Sequence, residues 1–347
     1  MTVRLAALVG LLCPNLVLAE NQALTVYCSA DEVFARPILA EFTRRTGIMV
    51  RPVFDTEAGK TTGLVSRLLA ERARPRADLW WSGEVFGTLQ LAEAGALAPS
   101  DASAAGLPDA FRDPERRWLS FALRARVIAY DPRRTSADQL PRRWAELSEP
   151  RFRGRIALAD PRFGTTRGQM AVLADLWGEN AFRAWLQGLR DNGARLADGN
   201  AHAVRLLSAG LVELAMSDSD DVIVARARGE VVDMHLPDLD APGGAAWPGT
   251  LWIPNSVALV SGSENLAAAS RLAEYLASAE VELQLARSDS ANIPVRKESR
   301  DALMAGSTRD RFGVLLEAYR RSKPVNYAKA AARLREADRL AKEILVR

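Results

Sequence analysis

The sequence predicts an α/β fold of two lobes, each a mostly parallel sheet flanked by helices, hinged by crossing strands. Three observations lead there. Short apolar runs alternate with amphipathic helical patterns over the first hundred residues, the order that builds parallel sheets. The same alternation resumes after residue 155. A chain of 347 residues also exceeds what one hydrophobic core usually serves.

The elements follow in order. Leu24–Cys28 reads as a short strand. Phe34, Ile38, Leu39 and Phe42 share one face of a helix, and Gly47 ends it. Ile48–Phe54 is a second strand, Lys60–Arg72 a helix, Asp78–Ser82 a third strand. Arg155–Ala159 is a strand in the second half, followed by a helix with Phe182, Trp185, Leu186 and Leu189 on one face. Val204 and Leu207 continue the helical theme, and Leu211–Met216 is a strand. Leu251–Val260 is apolar but carries Pro254, which marks an edge or crossing strand. Leu266, Ala269, Ala273 and Leu276 form another helix face, and the stretch from Ala328 reads as a solvated helix docked on the surface. The expected division is 20–121 with 252–305 for the N-terminal lobe, and 122–251 with 306–347 for the C-terminal lobe.

Met1–Ala19 reads as a cleaved signal peptide: Arg4, a short apolar run broken by Pro14 and Asn15, then Val17-Leu18-Ala19 before the cut. The run is too short to span a bilayer. Cys28 would be the one cysteine left, so no internal disulfide can form and a buried structural thiol is expected. Lys and Arg number 46 against 43 Asp and Glu, and no basic block of five appears, which excludes a nucleic-acid partner. A monomer is expected.

Most catalytic chemistry is absent. Gly59-Lys60-Thr61-Thr62 lacks the glycine five residues upstream that a phosphate loop needs, since Phe54 stands there. The two histidines, His202 and His235, fall in a helical and a short apolar stretch, and no Gly-x-Ser-x-Gly elbow occurs. No enzyme activity is therefore expected, and no cofactor.

What remains is a set of polar loops at strand ends, where open α/β sheets bind ligands. They carry Ser29, Asp31 and Glu32; Thr56 and Glu57; Ser82, Gly83 and Glu84; Gly164, Thr165 and Thr166 at a helix start; and Asp218, Asp220 and Asp221. Arg124, Arg126 and Asn200 complete the ligand-binding candidates. A helix start offers free N–H groups to an anion, and three carboxylates in four positions suit a cation. Each of these residues could instead cap a helix.

Val26-Tyr27-Cys28-Ser29-Ala30-Asp31-Glu32, Ala40-Glu41-Phe42, Thr46-Gly47-Ile48 and Phe54-Asp55-Thr56-Glu57-Ala58 resemble the opening of periplasmic ferric-ion-binding-type solute-binding proteins of ABC importers. Asp78-Leu79-Trp80-Trp81-Ser82, Gly95-Ala96-Leu97, Arg124-Ala125-Arg126-Val127, Gly164-Thr165-Thr166 and Ile253-Pro254-Asn255-Ser256 extend the likeness. The resemblance implies two lobes closing on a solute, a periplasmic location, and a permease with its cytoplasmic ATPase as partners. It implies Fe(III) with a synergistic anion as the ligand, facing Arg124 and Arg126. Ferric members use adjacent tyrosines after the strand matching Leu211–Met216, where this sequence has Asp220-Asp221. Asp220, Asp221 and Glu57 are thus the metal candidates, oxygen ligands being suited to hard ions. A phosphorylated, phosphonate or zwitterionic solute remains the alternative, its anionic end on Thr165, Thr166 and Arg126 and its cationic end near Asp218, Asp220 and Asp221. A secreted hydrolase and a receptor-coupled solute sensor are the readings from other classes.

Overall fold

A computed structural model describes residues 23–56, 59, 61–239, 249–305 and 309–346. The expected signal peptide, residues 1–19, and Glu57 lie outside the described residues.

The first half alternates strand and helix as the pattern predicts: β1 Leu24–Cys28, α1 Glu32–Thr46, β2 Val50–Phe54, α2 Thr62–Ala70, β3 Leu79–Ser82, α3 Phe86–Glu93 and the short β4 Leu97–Ala98. β1 lies between β2 and β3, parallel to both. Tyr27 and Cys28 are fully buried there, and the Cys28 thiol donates to the Ala30 carbonyl. Gly47 closes α1 in the left-handed region (φ 72°), where a side chain would be strained.

The long strand β5, Leu119–Tyr130, then carries the chain into the second half. That half contains β6 Ile156–Ala159, α4 Gly164–Asp191, β7 Arg195–Ala197, α5 Asn200–Ser208, β8 Leu214–Asp218, α6 Ser219–Ala227 and β9 Asp233–His235. β6 pairs parallel with β7 and β8. The strand expected over Leu211–Met216 runs later, through Asp218, because Gly210 closes α5 with φ 73° and Leu211 stays exposed. α4 contains a break at Gly178 (φ 76°, ψ 165°), so it is two helices joined at a kink.

Two strands cross between the halves. The first part of β5 pairs with β10, Trp252–Val260, and its last residues pair with β8 and β9. β10 in turn pairs with β3, so one sheet runs through both lobes in the order β2-β1-β3-β10-β5-β8-β6-β7. β10 is an interior crossing strand and not an edge. Pro254 is tolerated because the pairing with β3 stops at Ser256, so its missing N–H breaks no bond on that side. Opposite it, Ala122 is the extra residue of a bulge and has a positive φ of 49°. Leu123 beyond the bulge exchanges both main-chain bonds with Ile293, at 2.6 and 2.7 Å.

The remaining helices are α7 Leu266–Leu276, α8 Ala279–Arg287, α9 Lys297–Ala305, α10 Arg309–Arg321, α11 Tyr327–Ala331 and α12 Leu334–Ile344. α12 is a docked C-terminal helix with one face in solvent, where Arg335, Arg339 and Lys342 are exposed. Leu334, Ala337, Leu340, Ala341 and Ile344 are buried, and Ala337, Leu340 and Ile344 pack into the second-lobe core.

Candidate functional site

A cleft of about 320 Å³ lies where residues from both lobes meet. Five helices start on its wall. Their N-cap residues are Asp31 (α1), Thr61 (α2), Phe163 (α4), Gly199 (α5) and Asp218 (α6), and all five line the cleft. None of these side chains accepts a bond from its own helix. Capping, the alternative role for Asp31 and Asp218, is therefore not what they do. Asp55 accepts from the Leu64 N–H of α2 and Asp220 from the Asp221 N–H of α6, at 3.2 and 3.1 Å, so the starts of α1, α4 and α5 are the ones whose first-turn N–H groups favour an anion nearby.

Two arginines from β5 sit at the base. Arg126 is completely buried and forms the centre of a closed network. It donates to Asp218 (2.8 Å), Gln169 (2.9 Å), Thr165 (3.2 Å), Asn200 (3.2 Å) and Thr166 (3.3 Å). The Thr165 hydroxyl and the Asn200 amide also donate to Asp218, at 2.6 and 2.9 Å. Arg126 and Thr165 thus already bond Asp218, and Thr166 bonds Arg126 and Asn200, so the groups expected to take a zwitterion's anionic end are engaged within the protein, with Thr165 alone of the three on the cleft wall.

Arg124 is different. It is 7% exposed, lines the cleft, and pairs with Asp220 at 3.2 Å. Its Nε is buried without a hydrogen-bond partner among the described residues. Burial works against its charge, but Asp220, then Asp218, Asp31 and Asp221, outweigh that and hold its pKa above the ordinary arginine value. Beside it, the Ser29 hydroxyl receives bonds from Thr61 Oγ1 (3.2 Å) and the Gly83 N–H (3.4 Å). A Cβ on Gly83 would lie 3.6 Å from Arg124 Nη2, so this backbone comes close to the guanidinium.

The acidic candidates divide. Asp218, Asp220 and Asp221 place one carboxylate oxygen each within 4.8 Å of one another, a geometry open to a cation. Asp218 and Asp220 are buried and paired with arginines, while Asp221, half-buried, accepts from Ser217 at 3.0 Å. Glu84 lines the cleft but turns its carboxylate onto the Phe86 and Gly87 N–H groups at the start of α3. Burial, only partly offset by those bonds and by Arg167 and Arg124, pushes its pKa up to about 7.

Of the other candidates, Ser29, Asp31, Glu32, Gly83, Gly164 and Asn200 line the cleft. Glu32 is exposed and paired with Arg36. Ser82, Arg126 and Thr166 are absent from the wall: they are buried one layer behind it. Thr56 is an exposed loop residue away from it. Sequence reasoning missed Thr61, Asp160, Asp198, Arg205, Arg228 and Glu230, all on the wall. Asp160 and Asp198 directly follow β6 and β7, so the strand-end rule would have found them. β7 hid Asp198, being three residues long with two of them exposed. Thr61 sat in a stretch read as a failed phosphate loop and as the start of the Lys60–Arg72 helix, whereas it is the residue before α2.

Comparison with known proteins decides the family. Residues 86–319 match the model of the bacterial extracellular solute-binding protein family. The chain belongs to that family. It is 28% identical over 203 residues to iron uptake protein A1 of Synechocystis, covering 58% of this chain and 55% of that one. It is 28% identical over 225 residues to the Fe(3+)-binding periplasmic protein of Serratia marcescens, covering 61% and 64%. The chain thus spans 55–64% of the length of these curated relatives. Among solved structures, iron-bound HitA from Pseudomonas aeruginosa matches with a TM-score of 0.78 and 23% identity, covering 92% of this chain and 99% of that one. AfuA from Actinobacillus pleuropneumoniae, with fructose-6-phosphate bound, matches at 0.73 and 19%, covering 92% and 97%. At such identities these two likenesses establish the two-lobed α/β fold.

Proposed function

We propose that this solute-binding protein is the periplasmic capture component of an ABC importer, and that it binds a small organic solute carrying both an oxyanion and a cationic group. A permease and its ATPase would receive the closed form. The relative in Sinorhizobium fredii named a probable ABC transporter periplasmic-binding protein, 26% identical over 225 residues, supports the importer role. We place the hinge at the β5–β10 crossing, next to Ala122, and the lobe division on either side of it.

The single observation behind the ligand class is Arg124. It is a buried cation with an unpartnered N–H, beside the Ser29–Thr61–Gly83 cluster and facing Asp31, Asp220 and Asp221. An oxyanion supplies the acceptor that Arg124 Nε lacks among the described residues. The wall as a whole holds nine carboxylates against three arginines, which favours a positive charge elsewhere on the same solute.

Ferric iron with an anion is the second reading. The names of the relatives and the Asp218–Asp220–Asp221 cluster favour it. Two guanidiniums beside that cluster weigh against it, since like charges this close are costly in a dry site. A thermal-shift and calorimetric comparison of an aminoalkylphosphonate with Fe(III)–citrate separates them. The phosphonate is expected to raise Tm, and Arg124→Gln to abolish the rise. A rise with Fe(III)–citrate that survives Arg124→Gln and is lost in Asp221→Ala would establish the metal reading instead.

A further inference from the structure

A second cavity, of about 530 Å³, opens where β10 meets α9, α10 and the chain leading into α11. None of its lining residues lines the cleft. Its walls are aromatic and apolar: Phe111, Trp252, Leu316, Tyr319 and Tyr327. Trp252 and Tyr319 meet edge to face, with centroids 5.4 Å apart. Among its lining residues the charges are Lys297, Arg300, Arg320 and Lys323 against Asp301, with Glu317 outside the lining 3.8 Å from Arg320 and Arg300 bonded to the Pro294 and Val295 carbonyls. Arg300 stacks over the Tyr319 ring at 4.6 Å, and Lys297 is the partner of Asp301. Arg320 and Lys323 are exposed at the rim. The indole N–H of Trp252, a residue 4% exposed, has no hydrogen-bond partner among the described residues.

The geometry points to a binding site for a planar aromatic carboxylate, separate from the solute cleft. The cavity is within the size range of small-molecule sites, and such sites pair apolar walls with a few polar groups. Aromatic edges and faces suit a flat ring. A net positive mouth selects an anion over its neutral counterpart, and a buried indole donor without an acceptor is costly to leave so. Trp252 is also the first residue of crossing strand β10, and Tyr327 donates to its carbonyl at 2.9 Å. An acid bound here therefore touches the strand on which the lobes turn.

Isothermal titration of the purified protein with naphthalene-2-carboxylate and with naphthalene-2-methanol tests this. The carboxylate is expected to bind one to one, and the alcohol at least about fivefold more weakly. Lys323→Glu, an exposed change that leaves folding intact, should weaken the carboxylate by about the same factor. Trp252→Phe should weaken it too, with Tm as the control for folding. Arg124→Gln should leave it unchanged, which keeps this site independent of the cleft. Equal binding of acid and alcohol, no binding at millimolar acid, or loss of binding in Arg124→Gln would each overturn the assignment.

Discussion

At the scale of single residues, the base of the cleft is governed by compensation of buried charge. Arg126 and Asp218 are 0% and 2% exposed, and each depends on the other. Asp218→Ala strands a guanidinium in a dry site and should cost about 3–5 kcal/mol in urea unfolding. Arg126→Met together with Asp218→Leu should cost much less than the two single changes added, because no charge is left behind. Glu84 gives a pH signature. Its folded-state pKa of about 7 stands above its ordinary value of 4.5, so the folded protein holds the proton more tightly. That group's contribution to stability is most favourable below pH 4.5 and is lost as pH rises through 7, by an amount on the order of 3 kcal/mol. Glu84→Gln should flatten this part of the stability–pH curve; a wild-type slope that survives the substitution would discount Glu84. Neither effect could be read beforehand. The strand-end rule finds Glu84 and Asp218 as polar residues near a ligand, but says nothing about which neighbour satisfies them. Only the fold shows that Glu84 turns onto α3 and that Arg126 faces inward.

At the scale of elements, helices α3 and α4 approach closely because Gly168 lacks a side chain. A Cβ there would meet Phe86 Cδ2 at 2.4 Å. Gly168→Ala should destabilise the protein by about 1–3 kcal/mol, and Phe86→Leu in the same chain should recover part of that loss. Gly168 precedes no visible motif, so this contact was not legible in the sequence. Long periodic segments were. The Phe182–Leu189 face, the α1 face and the Leu266–Leu276 helix appear where the spacing put them, since a stripe that wide must be buried. β10 was harder. Its proline left an edge and a crossing strand both open, and the choice depends on where β3 ends, a distance in space that local sequence does not encode.

At the scale of the whole molecule, the lobes touch across the cleft mouth as well as through the sheet. The Thr62 hydroxyl at the start of α2 donates to the Arg162 carbonyl at 3.2 Å, a residue a hundred positions away. Arg167 on α4 similarly reaches Gln90 on α3 at 3.3 Å. Thr62→Val removes the first link while keeping the side-chain shape. It should weaken solute binding by roughly two- to tenfold, mainly through faster release, as the closed form loses about one hydrogen bond. Stopped-flow release with small-angle scattering of the free and loaded protein would check this. An unchanged release rate would show that the link does not hold the closed form. The two-lobed plan itself was legible from length and alternation, and the family likeness was carried by motifs spread along the chain. The cleft wall was legible only where a strand was long enough to announce its end.

The bulge at Ala122 has a consequence for how such a protein can change. It lies two residues before Arg124 and four before Arg126, on one uninterrupted strand. The hinge proposed there and the two arginines at the cleft base are thus a single stretch of chain. A substitution that retunes the bend moves the charges, and one that repositions the charges strains the bend. On the hinge proposed here, ligand preference and closing motion are inherited together, and a variant selected for a new solute should carry an altered opening angle as its by-product.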